Sequence, residues 1–438
     1  MKKERRAGNM LLVLLACGAF VFLACHFFNN RWQLNPYDSR YRNWQLDSEQ
    51  LVVDKIMDAR SHGIGNYNGM LLDYQQQIGL AGILFSVVDK LADHQADLLK
   101  PIPKDLMCAL NVLVFTALFF VFLYWLYREF GLWTAGGVYV TALFTHWMGF
   151  TVKNLYWVTW TMLLPMIALL LLLMWEEHKG ARRDGWLFGL SFLTIFLRSA
   201  CGYEFISCVM VALELPVIYY AIKQEWGIKK YLQRAGKAGL GALAGFAGAL
   251  FVNLALMAGL KGWKGALDYL IFVSARRTGY ATLEGFDADV LASFQVPLSQ
   301  VIQSYWRGDP TCVLFGAWGL SVLVPLFFLL GAAMVLTLYF RKKARGNPAM
   351  AAQASQREKA GERKMLALLA VMAVSLLGPL SWLVLAKGHA VHHQHIDYVI
   401  FCLPFTMLGF ASVAQELKCW ALWLMERVKA GKRKEESV

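Results

Sequence analysis

The amino-acid sequence predicts an all-α polytopic membrane protein with about ten transmembrane helices. Three observations carry this: 58% of the 438 residues are hydrophobic, only 17% are charged, and apolar runs of spanning length recur along the chain. Soluble domains are about 45–50% apolar and about a quarter charged, and a bilayer-crossing helix needs roughly 20 apolar residues. A soluble fold is excluded on both counts.

The runs of spanning length are 10–28, 105–127, 132–150, 156–175, 185–200, 202–222, 238–260, 311–340, 365–386 and 397–415. The first follows a basic start, Met1 to Arg6, and resembles a secretory leader, but no A-x-A cleavage pattern follows it, so it reads as an uncleaved span. With the N-terminus inside, alternation puts both termini in the cytoplasm and places 27 of the 43 Lys and Arg residues there, in short connections such as RKKAR at 341–345. That asymmetry is the positive-inside rule. The net charge of +13 is then a topology signal, and no nucleic-acid partner is expected.

The rest of the polar mass falls on the outer face, in segments 29–104, 261–310 and 387–396. Backbone at membrane depth has to be buried in protein or line a cavity, so a site is expected on that face. No internal repeat supports an inverted-repeat transporter, and the chain reads as a single membrane domain. The basic stretch 341–364 contains a low-complexity flexible linker at 346–362. Eight cysteines, mostly within apolar runs and without a CxxC pair, describe neither a disulfide framework nor a zinc ribbon.

The first external loop, 29–104, carries NWQLDSEQLVVDKIMDAR at 43–60. Val52, Ile56 and Ala59 share one helical face, and Asp47, Asp54 and Asp58 lie on another. This is an amphipathic surface helix. Asp47 reads equally as its N-cap and as a fixed carboxylate facing water. A second surface helix is expected within 65–91, where Tyr74 and the glutamines from Gln75 could hydrogen-bond a sugar or simply be solvated.

A short basic N-terminus, one span, and a long external loop with DSE at 47–49 followed by YQQQIGLAG at 74–82 resembles the GT-C superfamily of membrane glycosyltransferases, which use polyprenyl-phosphate sugars. NLYWVTWTMLLPM at 154–166, at the start of the expected fourth span, is similar to a segment of bacterial members that decorate cell-surface polysaccharides. The resemblance implies a GT-C-like fold and a first-loop carboxylate, Asp47 or Glu49, as general base. It also implies Asn154 and Tyr156 as substrate contacts. The doubled acidic motif of some members is interrupted here by Ser48, which leaves the choice between the two acids open.

Such a transfer needs a base for the acceptor hydroxyl and cations for the departing phosphate on the same face. Arg276 and Arg277 in FVSARRTGY, after the amphipathic stretch 263–272, and Arg307 in SYWRGDP supply cations, and guanidinium forks suit phosphate. The alternative is that adjacent arginines anchor an interfacial helix to headgroups. Arg198, Tyr203 and Glu204 in FLRSACGYEFIS at 196–207 break two spans at the outer face; they are substrate-contact candidates or, for Arg198 and Glu204, a structural ion pair across the turn. His146 could line the same cavity. KGHAVHHQHIDY at 387–398 offers Lys387, His389, His392, His393 and His395, expected to hydrogen-bond phosphate or sugar, with a divalent metal site as the alternative and solvated imidazoles as the plain one.

The sequence therefore predicts an inverting glycosyltransferase of the inner or plasma membrane, with an extracytoplasmic active site. Its partners would be a polyprenyl-phosphate sugar donor, a glycan acceptor and the bilayer, with no firm cofactor. Alternatives are a polymerase or ligase using pyrophosphate-linked lipid, and a lipid-linked sugar flippase or other transporter. A transporter would call for charges at mid-span, where Glu214 is the exception in nearly charge-free spans.

Overall fold

The structure is a computed structural model that describes residues 2–34, 46–64, 76–92, 100–281, 284–308, 314, 317–344 and 356–435. Helix α1 (Lys2–Asn29) leads to two surface helices, α2 (Leu46–His62) and α3 (Leu80–Leu91). A bundle follows with α4 (Lys104–Phe130), α5 (Leu132–Leu143), α6 (His146–Thr151), α7 (Trp160–Lys179), α8 (Asp184–Cys201), α9 (Ile206–Lys223) and α10 (Ile228–Thr278). Short helices α11 (Ala288–Gln295) and α12 (Leu298–Trp306) precede α13 (Leu320–Ala344), α14 (Gln356–Ser375) and α15 (Leu377–Leu385). The chain closes with α16 (Lys387–His392), α17 (Gln394–Asp397), a π-helical turn (Phe401–Thr406) and α18 (Met407–Glu435).

Among the described residues, seven helical segments are long and apolar enough to cross a membrane: α4, α7, α9, α10, α13, the α14–α15 pair and the stretch from α17 into α18. Helix α1 carries the first expected run, from Met10 to Phe28, without a break, while α5 stops at Leu143 because Thr145 turns extended (φ −99°, ψ 100°) before α6. The run at 185–200 is helical as α8 but carries Asp184 and Arg198 near its ends.

Two boundaries move in ways that build the site. Residues 154–159 lie before α7 and are not helical, which corrects the expectation that the span begins at 156. The loop expected from 261 is instead a continuation of α10, whose helix bends only at Gly262 (φ 73°, ψ 162°). Glycine tolerates this left-handed backbone without a Cβ clash. The amphipathic stretch 263–272 is therefore the second limb of α10, and it carries Arg276 and Arg277 in its last turn.

Small residues hold the first limb of α10 in place. A Cβ at Gly241 would lie 2.4 Å from the Phe188 carbonyl oxygen, and one at Gly245 would lie 2.4 Å from that of Phe192. The backbones of α10 and α8 thus touch at four-residue intervals, the close approach that small-residue repeats permit between membrane helices. This fixes the register of α10 over the turn between α8 and α9.

The surface pair α2–α3 is fastened by a bidentate contact: Arg60 Nε and Nη2 each donate to the buried Asp89 carboxylate at 2.8 Å. Val52, Ile56 and Ala59 are buried on one face of α2, as their spacing predicts. Helix α2 begins at Leu46, so Asp47 stands inside the first turn rather than at the N-cap, and carboxylates are favoured in that turn by the helix dipole. The expected second surface helix appears as α3, and 65–75 lies outside the described residues. Most of the linker 346–362 is also outside them, and its last residues from Gln356 are helical in α14.

Candidate functional site

Several elements meet around a cavity of about 980 Å³. One wall is the start of α2 with Asp47 and Ser48; another is the non-helical segment before α7 with Tyr156 and Trp157. The α8–α9 turn contributes Glu204, the end of α10 contributes Arg276 and Arg277, and α16–α17 contributes His389, His392, His393 and His395. Of the residues singled out in the sequence, nine thus line one space: Asp47, Tyr156, Glu204, both arginines and the four histidines.

The approach of α10 to α16 is a backbone contact. A Cβ on Gly388 would come within 2.5 Å of the Arg276 carbonyl oxygen, and one on Gly279 (φ 67°) within 3.0 Å of the Gly388 nitrogen. Only glycine allows the arginine-bearing helix end to abut the histidine-bearing one. The other walls are held by buried strain: Val158 (φ 39°) and Phe205 (φ 61°) both sit in the left-handed region that β-branched and bulky residues avoid. The Trp157 and Phe205 rings stack at 5.1 Å, locking the two segments together.

Charge is distributed unevenly. Arg277 Nη2 donates to Glu204 Oε1 at 2.7 Å and to Gln76 Oε1 at 2.8 Å, and the Tyr156 hydroxyl donates to the same Glu204 oxygen at 3.2 Å. Burial opposes ionisation of Glu204, but the Arg277 and Arg198 guanidiniums outweigh it and hold the carboxyl below its ordinary range. Arg276 is exposed in the cavity wall and forms no hydrogen bond or ion pair with a described residue. Burial, then His389, His395, His392 and Arg276, push His393 down to about 3, so it is neutral at pH 7. Burial and Arg276 also lower His392.

Behind His389 stands Asp397, fully buried. Its Oδ2 accepts from Trp382 Nε1 at 3.0 Å and lies 3.3 Å from both His389 Nδ1 and the Tyr305 hydroxyl, whose shorter bond, at 2.9 Å, goes to the Ala390 carbonyl. Asp397 was not singled out in the sequence, nor were Asp287 and Asp289, which also line the cavity. The signal for Asp397 was its place eight residues after His389, which is within reach only because α16 and α17 fold back on each other.

Other candidates face elsewhere. Glu49 is buried and committed to Lys104 Nζ at 2.6 Å and the Leu155 amide at 3.2 Å. Asn154 is also buried; its Oδ1 accepts from the amides of Tyr156 (3.0 Å) and Trp157 (2.9 Å), shaping the turn that presents Tyr156. The expected Arg198–Glu204 ion pair is corrected: Arg198 donates to the main-chain carbonyl of Glu204 at 2.8 Å and to Trp157 O at 3.1 Å, and the Glu204 carboxylate goes to Arg277. The reason is the left-handed Phe205, which turns the chain so that the carboxylate points to the cavity. Tyr203 donates to Ala249 O on α10, Lys387 Nζ donates to Phe294 O at 2.8 Å, and Arg307 is exposed at the end of α12; none lines the cavity. His146 is buried away from it. Tyr74 and Gln75 lie outside the described residues.

Among the described residues, no three His, Cys, Asp or Glu side chains come together in a way that could hold a metal ion. The histidines are grouped, with His389 and His393 ring centres 4.4 Å apart and their planes tilted by 43°, beside the arginines. No protein-family model, curated protein or solved structure matches the chain.

Proposed function

We propose that the protein is an inverting glycosyltransferase that moves a sugar from a polyprenyl-phosphate carrier to an extracytoplasmic glycan acceptor. The observation that carries the reading is the make-up of the cavity: a water-accessible carboxylate, Asp47, faces the same space as four histidines and the guanidinium of Arg276, which has no partner among the described residues, with Asp287 and Asp289 also in the lining. A carboxylate can accept the acceptor's hydroxyl proton, and a guanidinium beside imidazoles can hold a phosphate. The acceptor oxygen attacks the anomeric carbon from the side opposite the phosphate, which inverts that centre. Glu49 is the weaker choice of base because both its oxygens are already engaged.

The topology belongs to the same reading. We place ten spans in an inner or plasma membrane, both termini in the cytoplasm and the cavity outside, from the 27 to 16 split of Lys and Arg. Helices α2 and α3 and the second limb of α10 then lie at the outer interface, where the prenyl tail stays in lipid while its phosphate reaches Arg276. The test is mass analysis of surface glycans from cells with and without the protein. Loss of a sugar residue supports the assignment, and an unchanged glycan profile contradicts it.

A further inference from the structure

Four histidines line the cavity, and the structure treats one of them differently. His389 is the one with a carboxylate in hydrogen-bond reach among the described residues: Asp397 Oδ2 lies 3.3 Å from Nδ1. An ionised carboxylate only accepts, so Nδ1 carries the proton and Nε2 is the ring nitrogen left for the cavity. The orientation is over-determined. Trp382 Nε1 donates to the same Asp397 oxygen, the Tyr305 hydroxyl packs against it at 3.3 Å, and the Phe205 and Trp382 rings meet the imidazole edge-on at 6.3 and 5.4 Å. Asp397 Oδ1, also buried, has no hydrogen-bond partner among the described residues. A buried carboxylate with one oxygen unsatisfied is costly unless a nearby cation compensates. Among the described residues, His389 is the basic side chain in hydrogen-bond reach of that carboxylate.

We infer that His389 is the proton donor to the leaving phosphate oxygen and that Asp397 is the positioning residue that holds it for that task. The inference rests on the proposed glycosyl transfer. As the acceptor oxygen bonds to the anomeric carbon, the bond from that carbon to the phosphate oxygen breaks and its electron pair stays on the oxygen. The acceptor's proton goes to Asp47, and the His389 Nε2 proton goes to the freed oxygen. The prenyl phosphate leaves singly charged, and the two side chains return to their starting states by proton exchange with external water. Arg276 holds the non-bridging oxygens, whose charge changes less during the step.

A contact made to the freed oxygen discriminates product from donor, because that oxygen is esterified in the donor and free, able to exchange a proton with His389, in the product. Two probes isolate it at pH 7.5: farnesyl phosphate, a monoester largely doubly charged there, and farnesyl methyl phosphate, a diester with one charge. Binding of each is measured to the full-length protein in detergent, for wild type, His389→Gln and Asp397→Asn. The expected result is at least tenfold weaker monoester binding in both variants, with diester binding changed less than threefold. Equal losses for both probes, or no loss for either, overturn the inference, since damage to the cavity or an idle histidine would not distinguish an ester from a free oxygen. If Asp397→Asn does not fold, His389→Gln decides the matter alone. Wild-type protein that binds neither probe contradicts the glycosyltransferase reading itself, a different outcome from binding without the selectivity.

Discussion

Arg277, in the last turn of the α10 limb that follows Gly262, lies 2.7 Å from Glu204 in the turn between α8 and α9. The contact joins residues 73 apart in sequence and closes one side of the cavity. It also separates the two adjacent arginines by role: Arg277 is spent on Glu204 and Gln76, and Arg276 faces the cavity with no protein partner among the described residues.

Glu204→Gln leaves the mostly buried Arg277 guanidinium without its carboxylate. Breaking a buried pair in this way costs about 3 kcal/mol, and the variant is expected to lose that much stability in detergent thermal unfolding. Arg277→Gln should cost a similar amount, and the double variant less than the sum of the two. Additive losses would mean that the two groups do not interact.

Gly388→Ala is expected to force α16 away from the end of α10, because the new methyl would meet the Arg276 carbonyl at 2.5 Å, a backbone atom that cannot rotate aside. Overpacking of this kind costs about 1–3 kcal/mol. Transfer activity should fall at least tenfold as the histidines and arginines separate. Gly189→Ala in α8, with no atom within 4 Å of the added methyl, serves as the control and should be neutral or slightly stabilising. Equal behaviour of the two would remove the close contact as an explanation.

Acid should weaken the histidine face. His393 in the folded protein is depressed to about 3 from the ordinary 6.5, so below pH 6.5 the unfolded chain takes up a proton that the folded chain does not. Stability contributed by the neutral form is complete above pH 6.5 and is lost as pH falls toward 3. At pH 5 the loss from this group is about 1 kcal/mol after allowing for partial exposure. The wild type should therefore lose more thermal stability between pH 7.5 and 5 than His393→Asn. An identical loss in both would place the acid sensitivity elsewhere.

Topology is checked by cysteine labelling from outside, in a background lacking the exposed Cys17 and Cys25. Ser61, Gln303 and Gln356 are all exposed in the fold. Ser61→Cys and Gln303→Cys should label, and Gln356→Cys should not. The reverse pattern would put the cavity in the cytoplasm and end the proposed reaction.

Much of this was legible in the chain, because spans and surface helices are local patterns. The face of Val52, Ile56 and Ala59 is buried as spaced, and the amphipathic stretch 263–272 is helical. Long-range partners were not legible. Nothing local to Arg198 and Glu204 reveals that Phe205 takes a left-handed backbone and sends the carboxylate to Arg277. Lys387 reads as one more cation in a histidine loop until its Nζ is found on the Phe294 carbonyl. Asp397 reads as the polar edge of a span, and only the fold-back of α17 sets it behind His389.

The proposed general base is Asp47, and the turnover of Asp47→Asn reports on that role. Asparagine keeps the shape but cannot take the proton, so transfer from a polyprenyl-phosphate sugar should fall by about 10² to 10⁴, with stability lowered by no more than about 1 kcal/mol for the lost charge in the first turn of α2. Glu49→Gln is the companion: it breaks a buried contact to Lys104 and should lower stability by about 1–2 kcal/mol while folded protein keeps most of its turnover. Near-normal turnover in Asp47→Asn, with loss confined to Glu49→Gln, would move the base to Glu49. Near-normal turnover in both would contradict a first-loop carboxylate as base.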